Sequence, residues 1–126
     1  MARTSLAASK AELYSLITTG GLPTGVTAAY DHEPLPGHLQ KPVAITISTA
    51  GMNAVDYQIA LRIYVTAEPD AEKAQDDLDT LIMTVDGRMS SGFGPSNWDI
   101  TYDGELNAFV ATNVFDVGRE DDTAWR

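Results

Sequence analysis

The chain has 126 residues, a formal charge of −10 at pH 7, a sequence pI near 4.3 and no cysteine. This length suits a single domain, and the lack of cysteine excludes disulfides, thiolate nucleophiles and thiolate metal sites. The acidic balance disfavours binding to nucleic acid phosphates and to anionic membranes, and no run of about 20 apolar residues indicates a membrane span.

The N-terminal part of the chain is predicted to form one helix and one short strand. Apolar residues recur at helical spacing over residues 5–18, and the double glycine that begins at Gly20 ends this helix. Its start is set either by a capping box at Ser9 and Glu12 or by a cap a few residues earlier. Alternation over residues 26–30 then predicts a short strand.

A loop and an antiparallel pair of strands follow. Two interior prolines and a glycine predict a loop over residues 31–42. Strict alternation of apolar residues predicts strands over 43–48 and 55–65, which pair across a tight connection. The sequence TAGMN forms that turn, which includes Gly51, Met52 and Asn53.

The second half of the chain is predicted to contain one long helix and two strands. Pro69 suits the first helical position, where its missing N–H costs nothing. A continuous apolar stripe follows, formed by Ala71, Ala74, Leu78, Leu81, Ile82, Val85 and Met89. Strands are predicted over 98–102 and 106–117, with Asp103-Gly104 as the hairpin turn between them.

This order of elements predicts an α+β fold with a mostly antiparallel sheet of four to five strands and both helices packed on one face. Residues 1–118 form the single domain in this interpretation. Residues 119–126 form an acidic tail that is flexible or becomes ordered on a partner. Trp125 would then be an aromatic anchor at the end of that tail.

No motif in the sequence predicts catalysis or cofactor binding. The stretch DHEPLPGH places acidic residues and two histidines close together, but its prolines prevent the helical spacing of a zinc-protease motif. A polar surface loop without a metal is therefore expected there. The glycine-rich stretch GRMSSGFGPSN runs from helix into strand, the reverse of a phosphate-binding loop. We expect no enzyme activity, no metal and no cofactor.

The second face of the sheet is the candidate for a partner surface. If both helices cover one face, the other face is left open and carries alternate residues of the two central strands: Ala44, Thr46, Ser48, Ala60, Arg62 and Tyr64. This face is either an ordinary solvated sheet face or a protein interface centred on Arg62 and Tyr64, since both residue types are favoured at interfaces. The turn residues Gly51, Met52 and Asn53 are further candidates for contacting a neighbour.

The arrangement of VAITIS, YQIALRIYVTA, PDAEKAQDDLDTLIMTV and WDITYDGELNAFVATNVFDV after an N-terminal helix resembles that of a known protein family. It is similar to the tail terminator proteins of long non-contractile-tailed phages, especially phages of actinobacteria. The resemblance covers nearly the full chain and rests on element order, length and the junction between the long strand and the acidic helix.

The resemblance implies a structural virion protein. Such a protein forms a hexameric ring that caps the tail tube, stops its polymerisation and offers a surface to the head-side connector. Its partners would be further copies of the chain, the tail tube protein and the connector, while DNA passes through without specific binding. It would be assembled in the host cytoplasm and lie at the head-proximal end of the virion tail. The alternatives are another neck or head–tail completion protein, and a ferredoxin-like domain that binds a small ligand.

Overall fold

The computed structural model describes residues 6–39, 42–52, 56–68, 70–89 and 97–118. In this part of the chain the elements are α1 (Leu6–Thr18), β1 (Ala28–Tyr30), β2 (Val43–Met52), β3 (Asp56–Thr66), α2 (Ala71–Met89), β4 (Trp98–Asp103) and β5 (Ala108–Gly118), with one turn of 3-10 helix at Pro36–His38. The predicted α+β fold is confirmed.

The strands form one sheet in the order β1-β2-β3-β5-β4. The short β1 runs parallel to β2, and every other neighbouring pair is antiparallel. β3 and β4 are both antiparallel to β5, which lies between them, so they are parallel to each other. Because α2 connects β3 to β4, these elements form a split βαβ unit.

One face of the sheet and both helices enclose the main core. The antiparallel register places Ile45 opposite Ile63 and Ile47 opposite Leu61, so alternate residues of β2 and β3 point to the helices. The helices contribute most of the apolar stripes predicted from the sequence: Leu13 and Ile17 from α1, and Ala74, Leu78, Leu81, Val85 and Met89 from α2. Ala71, predicted in the same stripe, is exposed, and Ile82 is only partly buried. Neither α1 nor α2 is long and apolar enough to cross a membrane.

The start of α2 differs from the sequence-based prediction. The helix begins at Ala71, and the Asp70 Oδ1 accepts hydrogen bonds from the backbone N–H groups of Glu72 (3.0 Å) and Lys73 (3.1 Å). Asp70 is therefore the N-cap. The prediction that Pro69 occupies the first helical position is wrong, and Pro69 itself lies outside the described residues.

α1 begins at Leu6, as the earlier of the two predicted starts requires, so Ser9 lies inside the helix and is fully buried.

The end of α1 is held by a side chain of α2. The Arg88 Nη1 donates to the backbone carbonyls of Ile17 (2.8 Å) and Gly21 (2.7 Å). The Ile17 carbonyl is one of the last four of α1, which have no donor within the helix, so Arg88 joins the two helices.

β2 is longer than predicted. It continues to Met52, because a register shift between Thr49 and Gly51 lets the strand go on pairing, with Gly51 opposite Gln58. Gly51 and Met52 therefore lie in a strand, and the prediction that they form the turn is wrong. Asn53 lies outside the described residues.

The β4–β5 hairpin has a longer turn than its sequence signal indicates. Four residues lie between Asp103 and Ala108. The Asp103 Oδ1 accepts hydrogen bonds from the N–H groups of Glu105 (2.9 Å) and Leu106 (3.2 Å), and Asn107 has a positive φ of 50°. The predicted position of the turn is confirmed, but β5 begins at Ala108 rather than Leu106.

Candidate partner-binding surface

Residues 31–39, which we call the strap, lie against the second face of the sheet. Leu39, at the end of the strap, is 9% exposed and packs with Ala44, Tyr64 and Val110. These three residues belong to β2, β3 and β5 and share the face that points away from the helices. The strap therefore builds a second, smaller apolar cluster from a segment that the sequence predicts only as a loop.

The Glu33 carboxylate attaches the strap to the sheet. Its Oε1 accepts hydrogen bonds from the Thr46 hydroxyl at 2.8 Å and from the Arg62 Nη1 at 3.3 Å, and its Oε2 accepts from the Tyr64 hydroxyl at 2.8 Å. Thr46 is fully buried, so the carboxylate supplies an acceptor to a hydroxyl that water does not reach. Burial, and then the hydrogen bond to Glu33, raise the pKa of Tyr64 well above its usual value.

The expectation that this whole face is open is wrong. Thr46 is 0% exposed and Tyr64 is 7% exposed, because the strap covers them. Tyr64 is thus a residue of the fold that holds the strap, and a partner does not reach it while the strap is in place. Ala44 and Ala60 are buried as well.

The other half of this face remains accessible. The accessible strip, as we call it, runs across β2, β3 and β5 and consists of Ser48, Gln58, Arg62, Thr112, Val114 and Asp116. Val114 is 48% exposed although it lies in the interior of a strand, and the Arg62 side chain is 32% exposed. Arg62 lies at the border, since its Nη1 also donates to the Ser48 Oγ at 3.1 Å. The strip is the part of this sheet face that a partner can contact, and Arg62 is the predicted interface residue within it.

Two of the four remaining predicted interface residues lie within the described part of the chain. Gly51 lies at the end of the accessible strip, beside Gln58, and a Cβ at this position would be 2.6 Å from the Gln58 Oε1. Met52 pairs with Tyr57 through the backbone. Asn53 and Trp125 lie outside the described residues, so the role predicted for each of them stays a prediction.

Val114 and Gln58 belong to the accessible strip but are not among the predicted interface residues. The strand alternation itself places them on this face, since Val114 is four residues from the buried Val110 and Gln58 is four residues from Arg62. Each pair therefore shares one face of its strand.

The acidic and histidine residues of the strap make separate hydrogen bonds and do not form one cluster. The His32 Nδ1 and the Asp31 Oδ1 lie 3.0 Å apart on the surface, and this hydrogen bond lowers the pKa of Asp31. Glu33, the next residue, instead faces the sheet, and the His38 carbonyl accepts from the Tyr30 hydroxyl at 3.3 Å. Among the residues described, no three His, Asp or Glu side chains are placed to hold a metal ion.

A groove of about 400 Å³ lies beside α2 and is lined by Thr24, Lys73, Asp77 and Arg88, among others. Its charged groups already have partners within the protein. The Lys73 Nζ lies 3.0 Å from the Asp77 Oδ2, and Arg88 donates to carbonyls at the end of α1. These charges serve the fold, so the groove does not favour the small-ligand alternative over a partner surface.

Comparison of the chain with protein-family models found no match, and searches of curated proteins and of solved structures found none either.

Proposed function

We propose that this chain is a structural subunit of a phage tail, a tail terminator that assembles as a hexameric ring on the end of the tail tube. Copies of the chain, the tail tube protein and the head-side connector are its partners, and DNA passes through the ring without specific binding. In this proposal the protein lies at the head-proximal end of the virion tail. Another neck or head–tail completion protein is the runner-up, because it would use the same kind of surface.

The observation that carries the proposal is the accessible strip. A sheet face usually carries polar side chains where it meets water, but this one presents Val114 beside the partly exposed Arg62. Arginine is enriched at protein interfaces, and the fully buried core of an interface is more apolar than the rest of the surface. The chain also has the α+β fold that the resemblance implies, which supports the proposal as well.

The acidity of the chain fits this role. A net charge of −10 on 126 residues gives a surface that repels phosphate groups. A protein ring through which DNA must slide benefits from such repulsion, since a basic lining would retain the DNA.

The test is electron microscopy of the purified protein mixed with tail tubes. We expect labelled protein to form a ring at one end of each tube, and to be monomeric or weakly associated without tubes. Protein that binds along the whole length of the tubes, or never at an end, would refute the terminator role.

Two matched variants test the accessible strip. Val114→Glu places a charge in the strip and should leave the fold intact, since a surface change usually costs within about 0.5 kcal/mol. It should prevent ring formation, because the charge would be buried in the interface. Met83→Glu likewise replaces an exposed apolar side chain with glutamate, here on the outer side of α2, where Met83 is 76% exposed, and should assemble normally. If Val114→Glu assembles as well as Met83→Glu, the strip is not the interface.

A further inference from the structure

The outer edge of β4 is the longer of the two sheet edges that the described residues leave unpaired. β4 has six residues and pairs with β5 on one side only. The opposite edge of the sheet, β1, has three residues, and the carbonyl of Ala29 within it accepts from the Tyr14 hydroxyl at 3.5 Å. An unpaired edge presents backbone N–H and C=O groups to which another strand can bond. β4 is therefore the edge suited to strand addition.

The two faces of β4 differ in character. Ile100 and Tyr102 share the helix side of the sheet with the core residue Ala111 and its neighbour Phe109, yet they are 52% and 53% exposed. The other face carries Asp99 and Asp103. Residues 97–107 contain a third carboxylate, Glu105, and no lysine or arginine. The edge is thus apolar on one face and acidic on the other.

Charge disfavours two occupants that the chain itself could supply. Antiparallel pairing of two copies of β4 centred on Thr101 would place Asp99 opposite Asp103 of the second copy, and like charges directly opposite are destabilising. The tail, residues 119–126, carries Glu120, Asp121 and Asp122 against Arg119 and Arg126, so its net acidic charge also disfavours pairing with these carboxylates. The complementary occupant is basic.

We propose that the outer edge of β4 binds an extended basic segment of another protein by strand addition. Alternate basic side chains of that segment lie over Asp99 and Asp103, and the apolar side chains between them lie over Ile100 and Tyr102. Six residues in a strand span about 20 Å, so a short linear segment suffices. The proposal is independent of the proposed function, because it rests on β4 alone.

The test uses the full-length chain, labelled with ¹⁵N, and a capped hexapeptide of alternating lysine and valine. We expect amide shifts concentrated in β4, together with slower hydrogen exchange at alternate β4 amides. A matching peptide of alternating glutamate and valine should not bind. Two further lysine peptides carry N-methyl groups either at the odd or at the even residues. One of them should lose binding and the other should keep it, because only one set of N–H groups faces β4.

Two protein variants separate local pairing from general attraction to an acidic protein. Asp99→Lys should weaken binding of the lysine peptide about tenfold, because a favourable cross-strand pair becomes a repulsive one. Asp76→Lys makes the same charge change at an exposed position on α2 and should weaken binding less than about twofold, because salt screens distant charges. Melting curves check that both variants are folded.

Three results would overturn the proposal. The first is equal weakening by both variants, and the second is equal binding of the two N-methylated peptides. The third is slow exchange at all β4 amides of the free protein, since that would mean that the edge is already occupied within the chain.

Discussion

Removal of the Glu33 carboxylate should destabilise the fold by an amount that its contacts determine. In Glu33→Ala the hydroxyls of Thr46, which is fully buried, and of Tyr64, which is 7% exposed, lose their acceptor. A buried donor without a partner costs about 1–3 kcal/mol. The Glu33 side chain is 37% exposed, so water can replace part of what is lost, and the two hydroxyls together should cost about 2–3 kcal/mol. The exposed pair with Arg62 adds less than about 1 kcal/mol.

Urea denaturation of a double-mutant cycle measures this contribution. In the background Thr46→Val with Tyr64→Phe, both hydroxyl donors are already absent, so Glu33→Ala should cost less than about 1 kcal/mol. Glu105→Ala removes an exposed carboxylate from the β4–β5 turn and should cost within about 0.5 kcal/mol. If Glu33→Ala costs as little as Glu105→Ala, or costs the same in both backgrounds, the strap is not held by these hydrogen bonds.

Three further predictions concern the core and the strap. Leu78→Ala should lower the free energy of unfolding by about 2–5 kcal/mol, because Leu78 is 1% exposed in the middle of the α2 stripe; an unchanged melting temperature would contradict this packing. Asn113→Leu should raise stability by about 1 kcal/mol, because this fully buried amide has no hydrogen-bond partner among the described residues, and a lower melting temperature would mean that the amide is satisfied. The raised pKa of Tyr64 means that the folded state favours the neutral phenol. The contribution of this phenol to the free energy of unfolding is therefore complete below pH 10, the ordinary pKa of tyrosine, and declines above it. Urea midpoints measured from pH 8 to pH 11 should therefore fall less steeply in Tyr64→Phe than in the parent chain, and identical slopes would contradict the assignment.

The sequence predicts the parts of the fold that depend on periodicity. The stripe of α2 and the alternation of β3 report which side of each element meets the core, because burial imposes the period of the element on its residues. The hairpin between β4 and β5 is also predicted in the right place, since Asp and Gly have specific roles in turns. What the pattern cannot supply is the exact extent of a strand, as at Gly51, where a register shift extends the pairing beyond the predicted turn.

The strap could not be predicted in the same way. Its main contact joins Glu33 to Tyr64, 31 residues further along the chain, and no local pattern marks a carboxylate that is directed at a distant hydroxyl. The strand alternation therefore placed these residues on one face of the sheet, but it did not indicate that the strap covers half of that face. Arg62 is partly accessible, Tyr64 is buried, and Val114 is the exposed apolar residue of the strip.

The contact between Arg88 and the end of α1 has a consequence for how the chain folds as it is made. α1 has 13 residues, a length at which an isolated helix is marginal in water. The donor that closes its last turn is 71 residues later than Ile17, which at 5–20 residues per second corresponds to about 4–14 s of synthesis. α1 is thus made well before the side chain that holds its end, and it is fully stabilised only after α2 has been synthesised. During that interval its apolar side chains are available to a chaperone.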